Sequence, residues 1–396
     1  MNEPKLRFPE FNSNWTHDNL ENVAEIFDGT HQTPLYTKTG VQFVSVENIE
    51  DIYKSEKYIS HEEYDKYRNK PQINDILMTR ITAGVIGETA MVTKDAPLAY
   101  YVSLALIRCE KLFPSYVEKY IHSIQFRKEL YKRIIHTAFP KKINLGDIGK
   151  CLVGITNEQE QQKIAEFLSM IDTVIEKQKE TVSAWEERKK GVMQKLFSQE
   201  VRFKADDGSD FPEWEEQKLG EYLIQYTEKT TENNQYPVLT SSRKGIYLQD
   251  DYYGRQVASE NNIGYNIVPY GYFTYRHMSD DLIFRFNINN IVEKGIVSTL
   301  YPVFTVTDKI DSNFLQSYLN ESTDFFKYCM LQKQGGSRTY MYFGKLKDFV
   351  AHFPCFAEQQ KIADCLSSLD EVIEKQKATL AAWEALKKGL LQQMFA

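Results

Sequence analysis

Two short windows of the chain concentrate side chains that can bind a nucleic acid. The window 127–150 has seven basic and two acidic residues, and the window 325–348, which lies 198 residues further on, has five basic and one acidic residue. The whole chain has a net charge of −7, so this positive charge is local. Lysine and arginine neutralise phosphate groups, and arginine and glutamine also hydrogen-bond guanine and adenine. The two windows therefore predict contacts to DNA.

The candidate DNA-binding residues lie in these windows and in three polar turns, "MTRITAG", "SSRKG" and "FTYRHMSDD". Most are basic, one is an amide and one is a tyrosine. A charged run is also commonly a solvated face, and the sequence leaves that alternative open for each residue. The candidates are Arg80, Arg127, Lys128, Arg133, Lys141, Lys142, Arg243, Lys244, Arg276, Lys333, Gln334, Arg338 and Tyr340.

The sequence has none of the compact motifs that mark a catalytic or metal centre. It contains no G-x-x-x-x-G-K-[ST] phosphate loop, no G-x-G-x-x-G loop, no H-E-x-x-H and no G-x-S-x-G. The five cysteines are odd in number and widely spaced, which is typical of reduced thiols in the cytoplasm. No apolar run is long enough to span a membrane, and the start "MNEPKLRFPEF" is not a secretory signal. We therefore expect no catalytic residue, no metal and no cofactor in this chain, and a cytoplasmic location.

The two basic windows lie at equivalent places in a duplicated sequence. The hexapeptide "VIEKQK" occurs twice, 198 residues apart, inside a longer repeat. Residues 160–198 and 358–396 are identical at 24 of 39 positions without a gap. A Trp-x4-Leu also begins at Trp15 and again at Trp214. Because the repeated segments are varied in composition, the repeat is an internal duplication rather than low complexity.

Each copy of the repeat has the pattern of a long helix that needs a partner. Apolar residues recur at alternating steps of four and three, which is the a/d pattern of a coiled coil. Such a narrow apolar stripe is not stable alone in water. A helix of 39 residues spans about 58 Å and is long enough to separate two bodies. The predicted helix-pair interface consists of Ile164, Leu168, Ile171, Ile175, Gln178, Val182, Trp185, Ile362, Leu366, Leu369, Ile373, Gln376, Leu380 and Trp383.

The nearest partner for each helix is the other copy, which is tethered on the same chain. The polar residues Gln178 and Gln376, and likewise Lys189 and Lys387, interrupt both stripes at equivalent places and would set the register. If a pseudo-two-fold axis relates the halves, the helices must run antiparallel. The alternative is that each helix packs separately on its own module.

The remaining sequence forms two large modules that differ from each other. Candidate strands include "ILMT" from Ile76 and "GIVSTLYPVFTV" from Gly295, and each module continues into an amphipathic stretch. The predicted fold class is α+β, with two mixed α/β modules joined by two long helices that form an antiparallel coiled coil with pseudo-two-fold symmetry. The predicted boundaries are 1–156 for the first module, 157–198 for the first helix, 199–355 for the second module and 356–396 for the second helix.

This layout resembles the specificity subunit of type I restriction-modification systems. The resemblance covers essentially the whole chain and is most specific in the "EQQKIA…L…D…I…" opening of each repeated helix. The stretches "GTHQTP…FVSVENI" and "DILMTRITAGVIGE" of the first module also look typical, as do "LTSSRKGIYL" and "YFTYRHMSDD" of the second.

The resemblance implies that each module is a target-recognition domain for one half of a bipartite, asymmetric double-stranded DNA site. The helix pair would then fix the spacer between the two halves. Two modification subunits, which bind S-adenosylmethionine and methylate adenine N6, would dock on this chain, and restriction subunits would add ATP-dependent, Mg²⁺-dependent translocation and cleavage. This chain itself would catalyse nothing and would not contact a membrane.

Two other functions stay open at this point. A single-chain DNA nuclease or methyltransferase is disfavoured by the missing motifs, although dispersed carboxylates of a nuclease are hard to see among 55 acidic residues. A coiled-coil scaffold without DNA contact would leave both basic windows as solvated surfaces.

Overall fold

The structure is a computed structural model that describes residues 3–253, 261–333 and 337–395. The chain divides into two compact units. Unit 1 comprises Met1–Glu180 with Lys377–Ala396, and unit 2 comprises Thr181–Gln376. Each unit therefore contains one module, the first part of one long helix and the last part of the other. Among the helices in the described ranges, none has the length and apolar character needed to cross a bilayer.

The first module alternates short strands with short helices and ends in a helix of 40 residues. Its strands are β1 (Thr16–Asn19), β2 (Ala24–Asp28), β3 (Val41–Val44), β4 (Tyr58–Ile59), β5 (Ile76–Thr79), β6 (Ile81–Thr82), β7 (Thr89–Met91), β8 (Leu98–Tyr100), β9 (Leu104–Cys109), β10 (Lys141–Lys142) and β11 (Leu152–Ile155). Its helices are α1 (His61–Asp65), α2 (Pro114–Ile121), α3 (Ile124–Arg133), α4 (Leu145–Gly149) and the first long helix α5 (Glu158–Phe197), with 3-10 turns at Leu20–Asn22 and Val46–Asn48.

The second module also alternates short strands with short helices and ends in a helix of 38 residues. Its strands are β12 (Glu215–Lys218), β13 (Leu223–Tyr226), β14 (Leu239–Ser242), β15 (Gly245–Leu248), β16 (Asn266–Pro269), β17 (Phe273–Tyr275), β18 (Met278–Ser279), β19 (Phe286–Ile288), β20 (Lys294–Val297), β21 (Val303–Val306), β22 (Thr339–Tyr340) and β23 (Val350–Phe353). Its helices are α6 (Gln249–Tyr253), α7 (Ser312–Glu321), α8 (Thr323–Leu331), α9 (Phe343–Lys347) and the second long helix α10 (Phe356–Gln393), with a 3-10 turn at Leu219–Glu221.

The two modules share a sheet topology despite their unlike sequences. A four-stranded antiparallel sheet has the order β2-β9-β5-β7 in the first and β13-β21-β17-β19 in the second. In each module the first strand pairs antiparallel with the strand that precedes the long helix, β1 with β11 and β12 with β23. The duplication visible in the helices therefore extends to the fold of the modules.

The buried strand β5 explains the apolar run "ILMT" of the sequence. All four of its residues are buried, and alternate side chains enter different hydrophobic clusters. Ile76 and Met78 belong to one cluster and Leu77 to another. A strand that is covered on both faces has no polar side, so its sequence lacks the alternation of a half-exposed strand. The segment predicted as one strand from Gly295 is instead two strands, β20 and β21, separated by a turn.

Serine caps divide the amphipathic stretch of each module into two helices. The side chain of Ser123 accepts a hydrogen bond from the Phe126 amide, and that of Ser322 accepts one from the Phe325 amide, both at 3.2 Å. A serine in extended backbone satisfies an amide that would otherwise have no partner at the start of a helix. The caps begin α3 and α8, which carry the start of each basic window.

The core of unit 1 includes the start of α5 and the end of α10. Ile164 and Leu168 lie in one hydrophobic cluster with Met394 and Phe395 and with side chains of the module. The Phe395 ring is 1% exposed and lies 5.7 Å from the Tyr116 ring and 5.1 Å from the Tyr120 ring. The end of the second long helix and the two residues that follow it therefore complete the core of the first module.

Unit 2 repeats this packing with equivalent residues. The Phe197 ring at the end of α5 lies 6.3 Å from the Phe314 ring and 5.3 Å from the Tyr318 ring. Phe197, Phe314 and Tyr318 are each 198 residues after or before their counterparts in unit 1. The same cluster contains Ile362 and Leu366 from the start of α10. Each module thus packs on its own helix and also on the end of the other helix, so the alternative that each helix packs only on its own module is wrong.

A buried glutamate anchors the start of each long helix. Arg7 donates two hydrogen bonds to the Glu160 carboxylate, at 2.7 and 2.8 Å, and Arg202 donates two to Glu358, at 3.1 and 2.9 Å. Both glutamates are fully buried. A bidentate guanidinium contact compensates the cost of burying a carboxylate. These pairs hold the first residues of each module against the long helix that follows that module.

The two long helices run antiparallel within unit 1. Near the start of α5, Arg7 contacts Glu160 while the amide of the neighbouring Leu6 donates to the Gln393 carbonyl at 2.8 Å. Further along α5, Asp172 pairs with Lys387, which lies earlier on α10. The equivalent ion pair in unit 2 joins Lys189 to Asp370. The seam lysines noted in the sequence therefore pair with aspartates of the facing helix.

The predicted interface positions lie on the less exposed side of the long helices. All fourteen are buried or half-buried, whereas most positions between them are exposed. Gln178, Gln376, Trp185, Trp383, Leu369 and Leu380 are the half-buried ones. The architecture of two mixed α/β modules joined by two long helices is confirmed. The domain boundaries at 156, 198 and 355 and the pseudo-two-fold axis stay predictions.

Replacing Phe395 with alanine should lower the free energy of unfolding by about 3–5 kcal/mol, because the change leaves a cavity among buried aromatic rings. Urea denaturation followed by circular dichroism measures the effect. Leu386→Ala on the same helix is the matched control, since this leucine is 47% exposed and should change stability by less than about 0.5 kcal/mol. Equal effects of the two substitutions would contradict the assigned core.

Candidate DNA-binding surface

In the second module, a tight hairpin between β14 and β15 presents Arg243 and Lys244 to solvent. Gly245 follows them with a φ of +129°, a backbone conformation that side-chain-bearing residues rarely adopt. Ser242 and Gly245 face each other at the closing pair of the ladder. The sequence "SSRKG" therefore folds as a turn that projects two adjacent basic side chains.

A two-residue ladder joins the second basic window to the loop that carries Arg276. Strand β18 pairs antiparallel with β22, with Met278 opposite Tyr340. The amide of Met341 also donates to the His277 carbonyl at 2.7 Å. Arg276 follows the central strand β17 and is exposed. These contacts bring together side chains that lie more than 60 positions apart in the sequence.

The hairpin and the ladder border one polar cleft of about 210 Å³. Three arginines line it, Arg243, Arg276 and Arg285. Arg285 is held by Glu321 and by the Asn320 carbonyl. The cleft also has hydroxyl, carboxylate and aromatic groups, so it offers hydrogen-bond donors and acceptors to one ligand surface. Its remaining lining residues are Thr240, Ser241, Ser242, Met278, Ser279, Asp280, Ile283 and Tyr301.

Two exposed ion pairs lie at this cleft. Arg243 Nη2 donates to Asp281 Oδ1 at 2.7 Å, and Arg338 Nε donates to Asp280 Oδ1 at 3.0 Å. All four side chains are at least 45% exposed. The hydrogen bond from Arg243 is the main cause that holds the pKa of Asp281 below its usual value, so this carboxylate is ionised at neutral pH.

An exposed stack of three rings adjoins the ladder. The Tyr340 and Tyr342 rings are 5.7 Å apart with an interplanar angle of 11°, and the His277 ring lies 5.0 Å from Tyr342. Tyr340 is 38% exposed and Tyr342 is 53% exposed. Exposed rings beside arginines are suited to contacts with sugars and base edges.

The first module has the corresponding ladder but different side chains on it. Strand β10 pairs antiparallel with β6, and both lysines of β10, Lys141 and Lys142, are exposed. Lys128 on α3 is exposed as well. These three lysines are basic residues of the first window that point their charge to solvent.

Three other candidates of the first module are held by partners within it. Arg80 is 8% exposed and binds Asp28 and the Ile143 carbonyl. Arg127 donates to the Ile86 carbonyl, to Glu88 and to the His122 ring. Arg133 pairs with Glu129 on the same helix, and hydrogen bonds from Lys132 and Arg133 lower the pKa of that carboxyl. Their assignment as DNA contacts stays a prediction, but each would have to give up these bonds to reach a ligand.

The other candidates are divided between exposed and undescribed positions. Lys333 is exposed just after α8, and Lys244 is exposed at the hairpin. Gln334 lies outside the described residues. Asp280, Asp281 and Tyr342 also lie at this surface but are not among the predicted contacts, because carboxylates and a lone tyrosine are not a signal of DNA binding in the sequence.

The part of the chain that the structure describes has no group of three or more His, Cys, Asp or Glu side chains placed to hold a metal ion. The cysteines are free thiols, and burial raises the pKa of Cys109, Cys151 and Cys329 to about 12. Thiols with so high a pKa are poor nucleophiles at neutral pH.

The fold defines a two-module protein, and its exposed basic residues form a candidate DNA-binding surface. Residues 12–183 match the model of the type I restriction modification DNA specificity domain. A Methanocaldococcus jannaschii protein assigned as the type I restriction enzyme MjaX specificity subunit is 24% identical over 98% of this chain and 95% of its own length.

Two solved structures share the fold over nearly the whole chain. The S subunit of a type I restriction-modification system from M. genitalium has a TM-score of 0.58 and 16% identity, and covers 100% of this chain and 99% of its own. A chain from a study of complex assembly and conformational transition of the type I R-M system has a TM-score of 0.56 and 14% identity. It covers 95% of this chain and 96% of its own length. The chain is therefore similar over nearly its whole length to a type I specificity subunit and shares the fold of the two solved structures, while residues 12–183 match the DNA specificity domain.

Replacing Arg80 with alanine should lower the free energy of unfolding by about 1–3 kcal/mol, because it removes charge-assisted hydrogen bonds in a mostly buried place. Lys142→Ala, at an exposed position of the same module, should change stability by less than about 0.5 kcal/mol. Urea denaturation of both variants makes the comparison. If Arg80→Ala is as stable as the wild type, the structural role of this arginine is wrong.

Proposed function

We propose that this chain is the non-catalytic specificity subunit that recognises a bipartite, asymmetric double-stranded DNA sequence, with one half-site for each module. The observation that carries the proposal is the contrast between scaffold and surface. The contacts that anchor the helices recur 198 residues apart, as with Phe197 and Phe395 or Glu160 and Glu358. The exposed residues at the equivalent ladders differ, with lysines in one module and tyrosine and arginine in the other.

This contrast favours recognition of two unlike half-sites. A palindrome needs only one kind of reader, which a homodimer supplies, whereas an asymmetric site needs two. The long helices would set the length of the spacer, which is the unrecognised DNA between the two half-sites. Helices of 40 and 38 residues are each about 57–60 Å long, which is the length of about 1.7 turns of B-DNA.

The partners and cofactors of the proposed complex belong to other chains. Two modification subunits would bind S-adenosylmethionine and methylate adenine N6, and restriction subunits would use ATP and Mg²⁺. They would also supply positive surface, which accounts for a recognition subunit with a net charge of −7. The proposed location of the complex is the cytoplasm.

The test of this function is the methylation pattern of DNA treated with the chain and its cognate modification subunit. We expect one gapped, asymmetric motif, read by methylation-sensitive sequencing of a random library. Exchanging residues 1–156 for the module of another specificity subunit should alter one half of the motif and leave the other half unchanged. An ungapped motif, a random pattern, or methylation by the chain without a partner would each refute the proposal.

The double substitution Lys141→Ala and Lys142→Ala should weaken DNA binding by the assembled complex and reduce the slope of log K against log salt by about two, because each lysine is expected to neutralise about one phosphate. Filter binding or fluorescence anisotropy between about 50 and 200 mM salt measures the slope. Lys177→Ala on α5 is the control for a general change in charge. Equal slopes for wild type and the double variant would remove these lysines from the interface.

A further inference from the structure

Two adjacent aspartates lie in the middle of the basic surface of the second module. Asp280 accepts a hydrogen bond from Arg338, and Asp281 accepts one from Arg243. Carboxylates repel the phosphates of DNA, so a surface that bound DNA only by charge would have none here. Their presence at the cleft therefore needs another explanation.

The two ion pairs contribute little to folding stability, because all four side chains are exposed and such pairs are screened by solvent. They do restrict the orientation of the arginines. Asp281 is itself fixed, since Oδ1 accepts hydrogen bonds from the Ser279 hydroxyl at 2.9 Å and from the Ile283 amide at 3.3 Å. A chain of contacts thus runs from the backbone through Asp281 to the Arg243 guanidinium.

The geometry of the Arg338–Asp280 pair leaves one edge of the arginine free for a ligand. Arg338 uses its Nε atom for Asp280, and its terminal Nη atoms make no hydrogen bond to the residues that the structure describes. A guanidinium held on one edge presents its other donors in a fixed plane. Two parallel donors match the O6 and N7 acceptors of guanine in the major groove.

The aspartate pair is a property of one module and not of the shared scaffold. In the ladder of the first module the equivalent positions are Ala83 and Gly84, which carry no charge. By contrast, the ion pairs that anchor the long helices are present in both halves. A feature found in only one module is expected where the two modules must differ, namely in the sequence that each one recognises.

We propose that Asp280 and Asp281 are positioning residues that hold Arg338 and Arg243 for hydrogen bonding to guanine in the half-site of the second module. The inference rests on the proposed function. Arg276 lines the same cleft and has no carboxylate partner among the described residues, so it is assigned to a backbone phosphate. The half-site of the second module accordingly contains guanine at the base pairs that face these two arginines.

The experiment uses the methyltransferase complex assembled with the full-length chain carrying Asp280→Asn or Asp281→Asn. Dissociation constants are measured for the cognate duplex and for duplexes with each guanine of the second half-site replaced by adenine. We expect each variant to lose on the order of 5- to 100-fold of discrimination at one guanine, which is the range for one bidentate contact. Binding to non-specific DNA should be unchanged or tighter, because a negative charge is removed.

Three controls separate positioning from a general loss of structure. Discrimination at the half-site of the first module should stay at its wild-type value in both variants. Asp280→Glu, which keeps the carboxylate, should restore part of the lost discrimination. Lys244→Ala, next to Arg243 on the same hairpin, should weaken binding to every duplex by a similar factor and leave the ratios between duplexes unchanged.

The possible failures are distinct. A wild-type complex that shows no gapped motif refutes the proposed function. A gapped motif whose second half-site lacks guanine, or aspartate variants that keep full discrimination, refutes the positioning role while leaving the proposed function intact.

Discussion

The burial of one phenylalanine at the end of each long helix is the interaction on which each compact unit depends. Phe395 lies against Tyr116 and Tyr120, and Phe197 lies against Phe314 and Tyr318. Aromatic side chains of this kind bury a large area and also fix ring geometry. Because the end of one helix and the start of the other enter the same core, neither helix can shift along the other without opening a hydrophobic cluster. The register of the helix pair is thereby tied to the folding of the modules.

Polar contacts support the same constraint and are equally duplicated. The bidentate pairs of Arg7 with Glu160 and Arg202 with Glu358 anchor the helix starts. The pairs of Asp172 with Lys387 and Lys189 with Asp370 join the facing helices. A carboxylate buried without its guanidinium would strongly destabilise the fold, so these positions leave little freedom for substitution. The exposed positions at the ladders carry no such cost, which is why the two modules can differ there.

The distribution of arginine partners divides the basic residues into two groups. Arg80, Arg127 and Arg133 bind carboxylates or carbonyls inside the first module, so their guanidinium groups are paired within the fold. Lys128, Lys141 and Lys142 of the first module remain exposed, as do Arg243 and Arg276 at the cleft of the second module. The total charge of −7 is therefore a poor guide to DNA binding, because the field at a ligand surface depends on which charges face solvent.

The sequence by itself determined the duplication and the two long helices, because a gapless repeat with an a/d pattern over several heptads predicts a long helix that packs on another helix. It also gave the strand "ILMT" and the place of the basic windows. Only the tertiary structure decided that the end of each long helix packs in the same core as the start of the other. It also decided that Ser123 and Ser322 divide the amphipathic stretches and that Arg80 is buried. It also brought Arg338 beside Asp280, since a two-residue ladder between segments about 60 positions apart leaves no periodic trace in the sequence. Side-chain partners of that kind are set by long-range pairing, which local pattern does not encode.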